Sequence, residues 1–175
     1  MFGKIALAKG GIDLKQKRAF YGFLTIFLMI LFSVSPELVF VNVSPSIPCG
    51  IYLRVPATTL RNGDTVVYDP PAEIKQFCLD NGWMPYEQMY FIKKAAVSGT
   101  HYQVGRRFII DGKDIGPVVE TSPSGVKLPD HHGNFIVPDD NFLPYGTDTK
   151  SFDGRYEGTL SKDRIIARVV PIWTF

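Results

Sequence analysis

Cysteine and histidine are scarce in this chain: two cysteines and three histidines among 175 residues. No Cys-x-x-Cys pair and no Cys/His cluster occurs. The pattern excludes the usual structural zinc sites and leaves no metal or cofactor to assign. Cys49 and Cys78 leave two readings open, a disulfide in an oxidising compartment or two unpaired core residues, because sequence alone cannot set the distance between their Cα atoms. Net charge is small as well, +2 from 19 basic and 17 acidic residues, so the basic excess of a nucleic-acid binder is missing. No internal repeat or low-complexity tract occurs. The length suits one globular domain plus an extra segment and falls short of two ordinary domains.

What charge there is lies unevenly. Residues 1–36 hold five of the basic residues (Lys4, Lys9, Lys15, Lys17, Arg18) and a single acid, Asp13. The remainder is therefore net acidic, and a lipid bilayer is the natural partner for the basic end. From Ala19 to Pro36 run 18 residues without a charge. At about 1.5 Å per helical residue this just spans a hydrocarbon core of roughly 30 Å. The flanking cations place the N-terminus inside and the rest outside. The expected organisation is a cytoplasmic basic N-terminus over 1–18, a single transmembrane anchor over 19–40 and an external domain over 41–175. A cleaved leader is disfavoured, because the small-x-small candidate Ser33-Val34-Ser35 would put Pro36 directly after the cut. Leu38–Val41 either extends the span or begins the first strand.

Beyond the anchor the pattern is mostly β. Strands are predicted at Ile51–Val55, Asp64–Tyr68, Gln88–Val97, His101–Val104, Arg107–Ile110, Lys113–Ile115, Phe135–Val137 and Ile165–Val170. Asp111-Gly112 is a two-residue hairpin turn. Ala72–Asn81 is the one predicted helix here, with Pro71 suited to its first turn and Gly82 to its stop. Asn141–Gly158 reads as a long polar connection. The sum is a mainly antiparallel β ectodomain with one short helix.

Three segments place reactive residue types in unusual settings. In Asn42–Tyr52, NVSPSIPCGIY, serines alternate with prolines that stiffen the chain. In Tyr90–Val97, YFIKKAAV, two lysines interrupt an apolar strand; alternation turns one of them inward, where burial lowers an amine's proton affinity. In Gly146–Gly158, GTDTKSFDGRYEG, Asp153 stands two residues before Arg155, and Ser151 is able to orient a neighbour. Each segment has a plain alternative: a Ser/Pro linker, a lysine pair guarding a strand edge, and turn residues.

Taken in order, these segments resemble the boxes of the type I signal peptidase family, and most closely its conjugative, TraF-type branch that matures pilin. The first box reads Ser44-Pro45-Ser46-Ile47-Pro48-Cys49-Gly50-Ile51-Tyr52, the second Asn62-Gly63-Asp64-Thr65-Val66-Val67. The lysine box reads Tyr90 through Val97, and the last Ser151-Phe152-Asp153-Gly154-Arg155-Tyr156-Glu157-Gly158. Departures are Ile47 in place of the usual Met, Gly99-Thr100 in place of Gly-Asp, and a last box opened only by Gly146-Thr147-Asp148. The resemblance implies a Ser46 nucleophile, a Lys93 general base, and Ser44 joining the Ser46 N–H in the oxyanion site. It further implies Ser151 holding the amine and Asp153 as the acidic site residue, acting with Arg155. No cofactor is implied.

The implied substrate is a membrane-associated precursor, a pilin or another leader-bearing protein, cut outside the cytoplasmic membrane in the periplasm or its equivalent. A general leader peptidase and a non-catalytic scaffold of a secretion channel are the competing readings. Ser124-Gly125-Val126-Lys127 fits a Ser-x-x-Lys pattern, but that pattern needs a helix, and Pro123 and Gly125 make a turn. His101, His131 and His132 lack partners for a triad and read as surface loop residues.

Overall fold

The computed structural model describes residues 14–34, 38–56 and 59–175. The chain forms two compact units divided between Leu38 and Val39. The first contains helix α1 (Leu14–Val34), which begins within the basic cluster and continues through most of the uncharged run. Among the described residues no helix is long and apolar enough to cross a membrane. Residues 35–37 of the expected anchor lie outside the described residues. Residues 39–40, placed by sequence in that anchor, belong to the first strand, where Val39 pairs with Leu53 and Phe40 with Tyr52.

The second unit is built from antiparallel strands, as its alternating sequence required. Strands β1 (Val39–Asn42), β2 (Gly50–Val55), β3 (Thr65–Tyr68) and β4 (Phe91–Val97) are joined in one sheet by three later strands. These are β9 (Asn141–Tyr145), β10 (Leu160–Ser161) and β11 (Ile165–Thr174). The order across this seven-stranded sheet is β1-β2-β11-β3-β4-β9-β10. The other four strands, β5 (His101–Val104), β6 (Arg107–Ile110), β7 (Lys113–Pro117) and β8 (Gly133–Ile136), form a second sheet ordered β7-β6-β5-β8. Asp111 and Gly112 both take positive φ, 46° and 76°, the two-residue turn that their sequence predicts between β6 and β7.

Strand β3 is buried along its whole length, because the large sheet carries apolar packing on both faces. Val67 packs with Ile47, Tyr52, Ala167 and Val169. Val66 and Tyr68 pack with Ala95, Phe142 and Leu160. A third cluster joins Ala96 and Leu143 of the large sheet to Tyr102, Val104, Phe108 and Ile110 of the small one. Helix α2 (Ala72–Asp80) follows Pro71 and buries Cys78, close to the predicted bounds.

The predicted polar connection over Asn141–Gly158 is not one. It contains β9 and a single-turn helix, α3 (Gly154–Glu157). Pro144 concealed the strand, since proline interrupts a ladder. Ala95, opposite Pro144, directs its N–H and C=O to the 63–64 turn. The nitrogen of Pro144 therefore points away from β4, and β10 on that side pairs only with Phe142 and Asn141. No ladder bond is lost.

Candidate active site

The segment between β1 and β2 is held by one side chain. Asn42 is buried, and its Nδ2 donates to the carbonyls of Ser44, Ile47 and Pro48 at 2.8, 3.0 and 3.1 Å. Its Oδ1 accepts from the Ser44 N–H at 3.2 Å. Ile47, 1% exposed, anchors the turn in the core. Ser46 is thereby presented with its hydroxyl 2.9 Å from Ser44 Oγ. The Ser46 N–H also donates to Ser44 Oγ at 3.4 Å. Ser44 Oγ thus lies within hydrogen-bond distance of both the hydroxyl and the N–H of Ser46.

Lys93 comes from the opposite direction. On β4 it shares a face with Phe91 and Ala95, while Lys94 takes the other side and stays half-buried. The Lys93 ammonium is buried and donates to Ser151 Oγ at 2.9 Å. Burial, the largest influence, pushes its pKa down, aided by Arg155; Asp153, Glu157 and Cys78 pull the other way. An amine so placed is available as a base at lower pH than a solvated lysine.

The 146–158 segment joins these two halves. Ser46 C=O accepts from the N–H groups of Thr147 at 2.7 Å and Asp148 at 3.3 Å. Gly146 N donates to Asp153 Oδ2 at 2.7 Å. Asp153 and Arg155 are both fully buried, in a two-pronged pair at 2.8 Å (Nε to Oδ1) and 3.2 Å (Nη2 to Oδ2). Arg155 Nη1 then reaches the carbonyls of Pro117 and Thr149 at 2.9 and 3.2 Å. Asp153 also caps α3, accepting from the Arg155 N–H.

Ser44, Ser46, Lys93 and Ser151 all line one cavity of about 970 Å³. Its walls include Val41, Trp83 and Phe152. Four of the residues singled out in sequence, Ser44, Ser46, Lys93 and Ser151, are therefore brought together at one cavity. Asp153, implied as the acidic site residue acting with Arg155, has its oxygens bonded to Gly146 and Arg155. Cys49 and Cys78, open to a disulfide in sequence, are both free; Cys49 sits half-exposed before β2, while Cys78 is buried on α2 and its thiol is pushed up to about 12 by burial.

The serine of the Ser-x-x-Lys decoy lies in a turn, closed by the Ser122 N–H donating to the Val126 carbonyl. His131, expected on the surface, is instead stacked on Phe135 with ring centroids 4.7 Å apart. Sequence reading passed over Asn42, which only its burial and four hydrogen bonds reveal. It also passed over Glu157, an unremarked position inside the last box.

The family model described as signal peptidase, peptidase S26, matches residues 15–174. No curated protein matches the chain.

Proposed function

The chain belongs to the signal peptidase family, peptidase S26, as a serine hydrolase of the signal-peptidase type, and on that premise we propose that it is a membrane-anchored endopeptidase whose Ser46/Lys93 dyad matures a pilin precursor. The observation that carries this reading is the buried Lys93 amine, held 2.9 Å from Ser151 Oγ and open to the cavity that Ser46 lines. The neutral amine takes the Ser46 Oγ proton as that oxygen attacks the scissile carbonyl. For the oxyanion, the Ser46 N–H exchanges its long bond to Ser44 Oγ for the developing charge, which the Ser44 hydroxyl then also meets as a donor. Lys93 then passes the proton to the leaving amine and draws one from the water that releases the acyl group. An amine replacing that water would close a cyclic product.

The extended substrate has a natural seat. Strand β1 is an edge of the large sheet and runs directly toward Ser44–Ser46, with Val41 and Val43 on the cavity wall. A peptide added along an edge gains backbone hydrogen bonds whatever its side chains. The uncharged run from Ala19 to Pro36, preceded by Lys15, Lys17 and Arg18, supports an anchor in the cytoplasmic membrane with the peptidase domain outside.

The test coexpresses the intact chain, Ser46→Ala or Lys93→Ala with a candidate pilin precursor and reads the precursor's mass. Cleavage by the intact chain alone is expected, with each variant slower by several orders of magnitude. A product lighter by one further water marks cyclisation. Equal cleavage by all three proteins would remove the dyad. Cleavage of many unrelated leaders would favour a general leader peptidase, and none by any protein a scaffold role. In the same cells, the anchor requires the chain to stay in the membrane pellet through an alkaline carbonate wash; release into the supernatant would exclude it.

A further inference from the structure

The chemistry above leaves one inward-turned carboxyl unused, that of Glu157, a residue half-buried as a whole. Glu157 closes α3, with its N–H bonded to the Asp153 carbonyl at 2.9 Å. Its Oε2 accepts a hydrogen bond from the Tyr68 hydroxyl at 3.2 Å. Its Oε1 is sealed from solvent and takes no hydrogen bond. Tyr68 is itself fully buried. In the β3–β4 ladder Tyr68 lies opposite Phe91, and Val66 opposite Lys93. Opposite residues of an antiparallel pair share a face, and so do alternate residues of one strand. The Tyr68 phenol and the Lys93 amine therefore leave the sheet on the same side, and the Glu157 carboxyl is bonded to the first and within Coulombic reach of the second.

A carboxylate needs two or three donors to rest comfortably away from water. Glu157 has one, and a bare oxygen besides. The local geometry thus favours either a neutral acid or an ion leaning on the nearby ammonium. We propose that Glu157 is a positioning residue for the reaction, its buried carboxyl governing how readily Lys93 surrenders the proton that stops it acting as the base. The inference rests on the Ser46/Lys93 reading.

Every charged neighbour fits this role. Burial pushes the Glu157 carboxyl up to about 8; Asp153 at the start of α3 adds to the rise, while Lys93 on β4 and the Tyr68 hydrogen bond from β3 oppose it. Lys93 feels Asp153, Glu157, Arg155 and, from α2, Cys78. With Glu157 neutral, its charge does not hold the ammonium in place. Once Glu157 ionises, the ammonium is stabilised and the free amine becomes rarer. The two groups compete for protons as a pair. A neutral side chain at 157 therefore increases the fraction of free Lys93 amine at the pH values where Glu157 would be ionised, about 8 and above.

The experiment follows kcat/KM against pH for the detergent-solubilised full chain, using a fluorogenic peptide with Ala-x-Ala before the cut. The acid limb of that profile reports the free enzyme's base. Glu157→Gln is expected to move the part of the limb at and above about pH 8, where the wild-type carboxyl ionises, to lower pH by about one unit, a gain of up to roughly tenfold there and none well below that pH. Tyr68→Phe removes the hydrogen bond that favours the ionised carboxyl, so a smaller shift in the same direction is expected. An unmoved limb in both variants, each folded by circular dichroism, would overturn the inference, as would a loss of rate equal at every pH. Should Glu157→Gln fail to fold, Tyr68→Phe decides alone. Lys93→Ala run alongside separates the two ideas: full activity there would bring down the dyad, whereas inactivity with an unmoved Glu157→Gln limb would bring down only the role of Glu157.

Discussion

At Gly146 the absence of a side chain is a requirement of the site. A Cβ there would lie 2.2 Å from Ser151 Oγ, 2.6 Å from Ser151 Cβ and 2.8 Å from the Ser46 carbonyl oxygen. Ser151 and the Ser46 backbone, both assigned to the proposed site, would have to move apart to admit one methyl. Displacements of about 1 Å in a catalytic group cost on the order of 100-fold. Gly146→Ala is accordingly expected to lose about that much in kcat/KM. Gly105, around which nothing lies within 4 Å, is the control: Gly105→Ala should keep the wild-type rate. Equal rates for the two variants would show that the Ser46–Ser151 spacing is not critical. The same close packing explains why Asn42 matters, since its four hydrogen bonds fix the backbone that carries both Ser44 and Ser46.

Among the elements, α3 is too short to be stable by itself. A single turn has few internal hydrogen bonds to offset its ordering, and it persists because Asp153 and Arg155 bind it into the core. Arg155 also lies with its guanidinium carbon 5.3 Å from the Phe108 ring centroid, which links α3 to the small sheet. Asp153→Asn would leave a fully buried guanidinium without its counter-charge. The expected cost is about 3–5 kcal/mol of stability, read as an earlier urea midpoint. A midpoint unchanged from wild type would mean that the pair is not what holds the 146–158 segment. Strand β9 shows how an element escapes notice. Its sequence, with Asn141 at one end and Pro144 inside, lacks the alternation of a half-buried strand, because Phe142, Leu143 and Pro144 are all buried. Its partner β10, only two residues long, is what lets a proline sit there.

On the scale of the whole molecule, the buried ionisable groups make stability depend on pH, and the signs differ. Glu157 has its folded value raised to about 8 from 4.5. Between those values the folded protein keeps a proton that the unfolded chain has released. Stability from this group is therefore lost as pH rises through that window. Lys93 is lowered from 10.5, so its contribution runs the other way: stability rises with pH as the value for the unfolded chain is approached. Glu157→Gln cancels the first effect and leaves the second. The variant should gain more in melting temperature over wild type at pH 8 than at pH 5, by about 2 °C or more. An equal gain at both pH values would show that Glu157 ionises as freely in the folded protein as in the unfolded one.

The sequence alone determined the strand-rich architecture, the bounds of α2, the turn at Asp111-Gly112 and the inward direction of one of Lys93 and Lys94. Each follows from local chemistry: periodicity two, proline and glycine at helix ends, positive φ at a two-residue turn. The resemblance of the ordered boxes to the signal peptidase family also brought out Ser44, Ser46, Lys93, Ser151 and Asp153 as a set. Only the tertiary structure decided what joins that set. Asp153 pairs with Arg155 as their spacing suggested, and only the fold adds the Gly146 N–H to its other oxygen. The thiols of Cys49 and Cys78 stayed free for a similar reason, since distance between remote residues is a property of packing. Glu157 is the clearest case: beside Gly158 in a polar run it looks like a solvated side chain, and only the packing of α3 against Tyr68 of β3 seals one of its carboxyl oxygens from water.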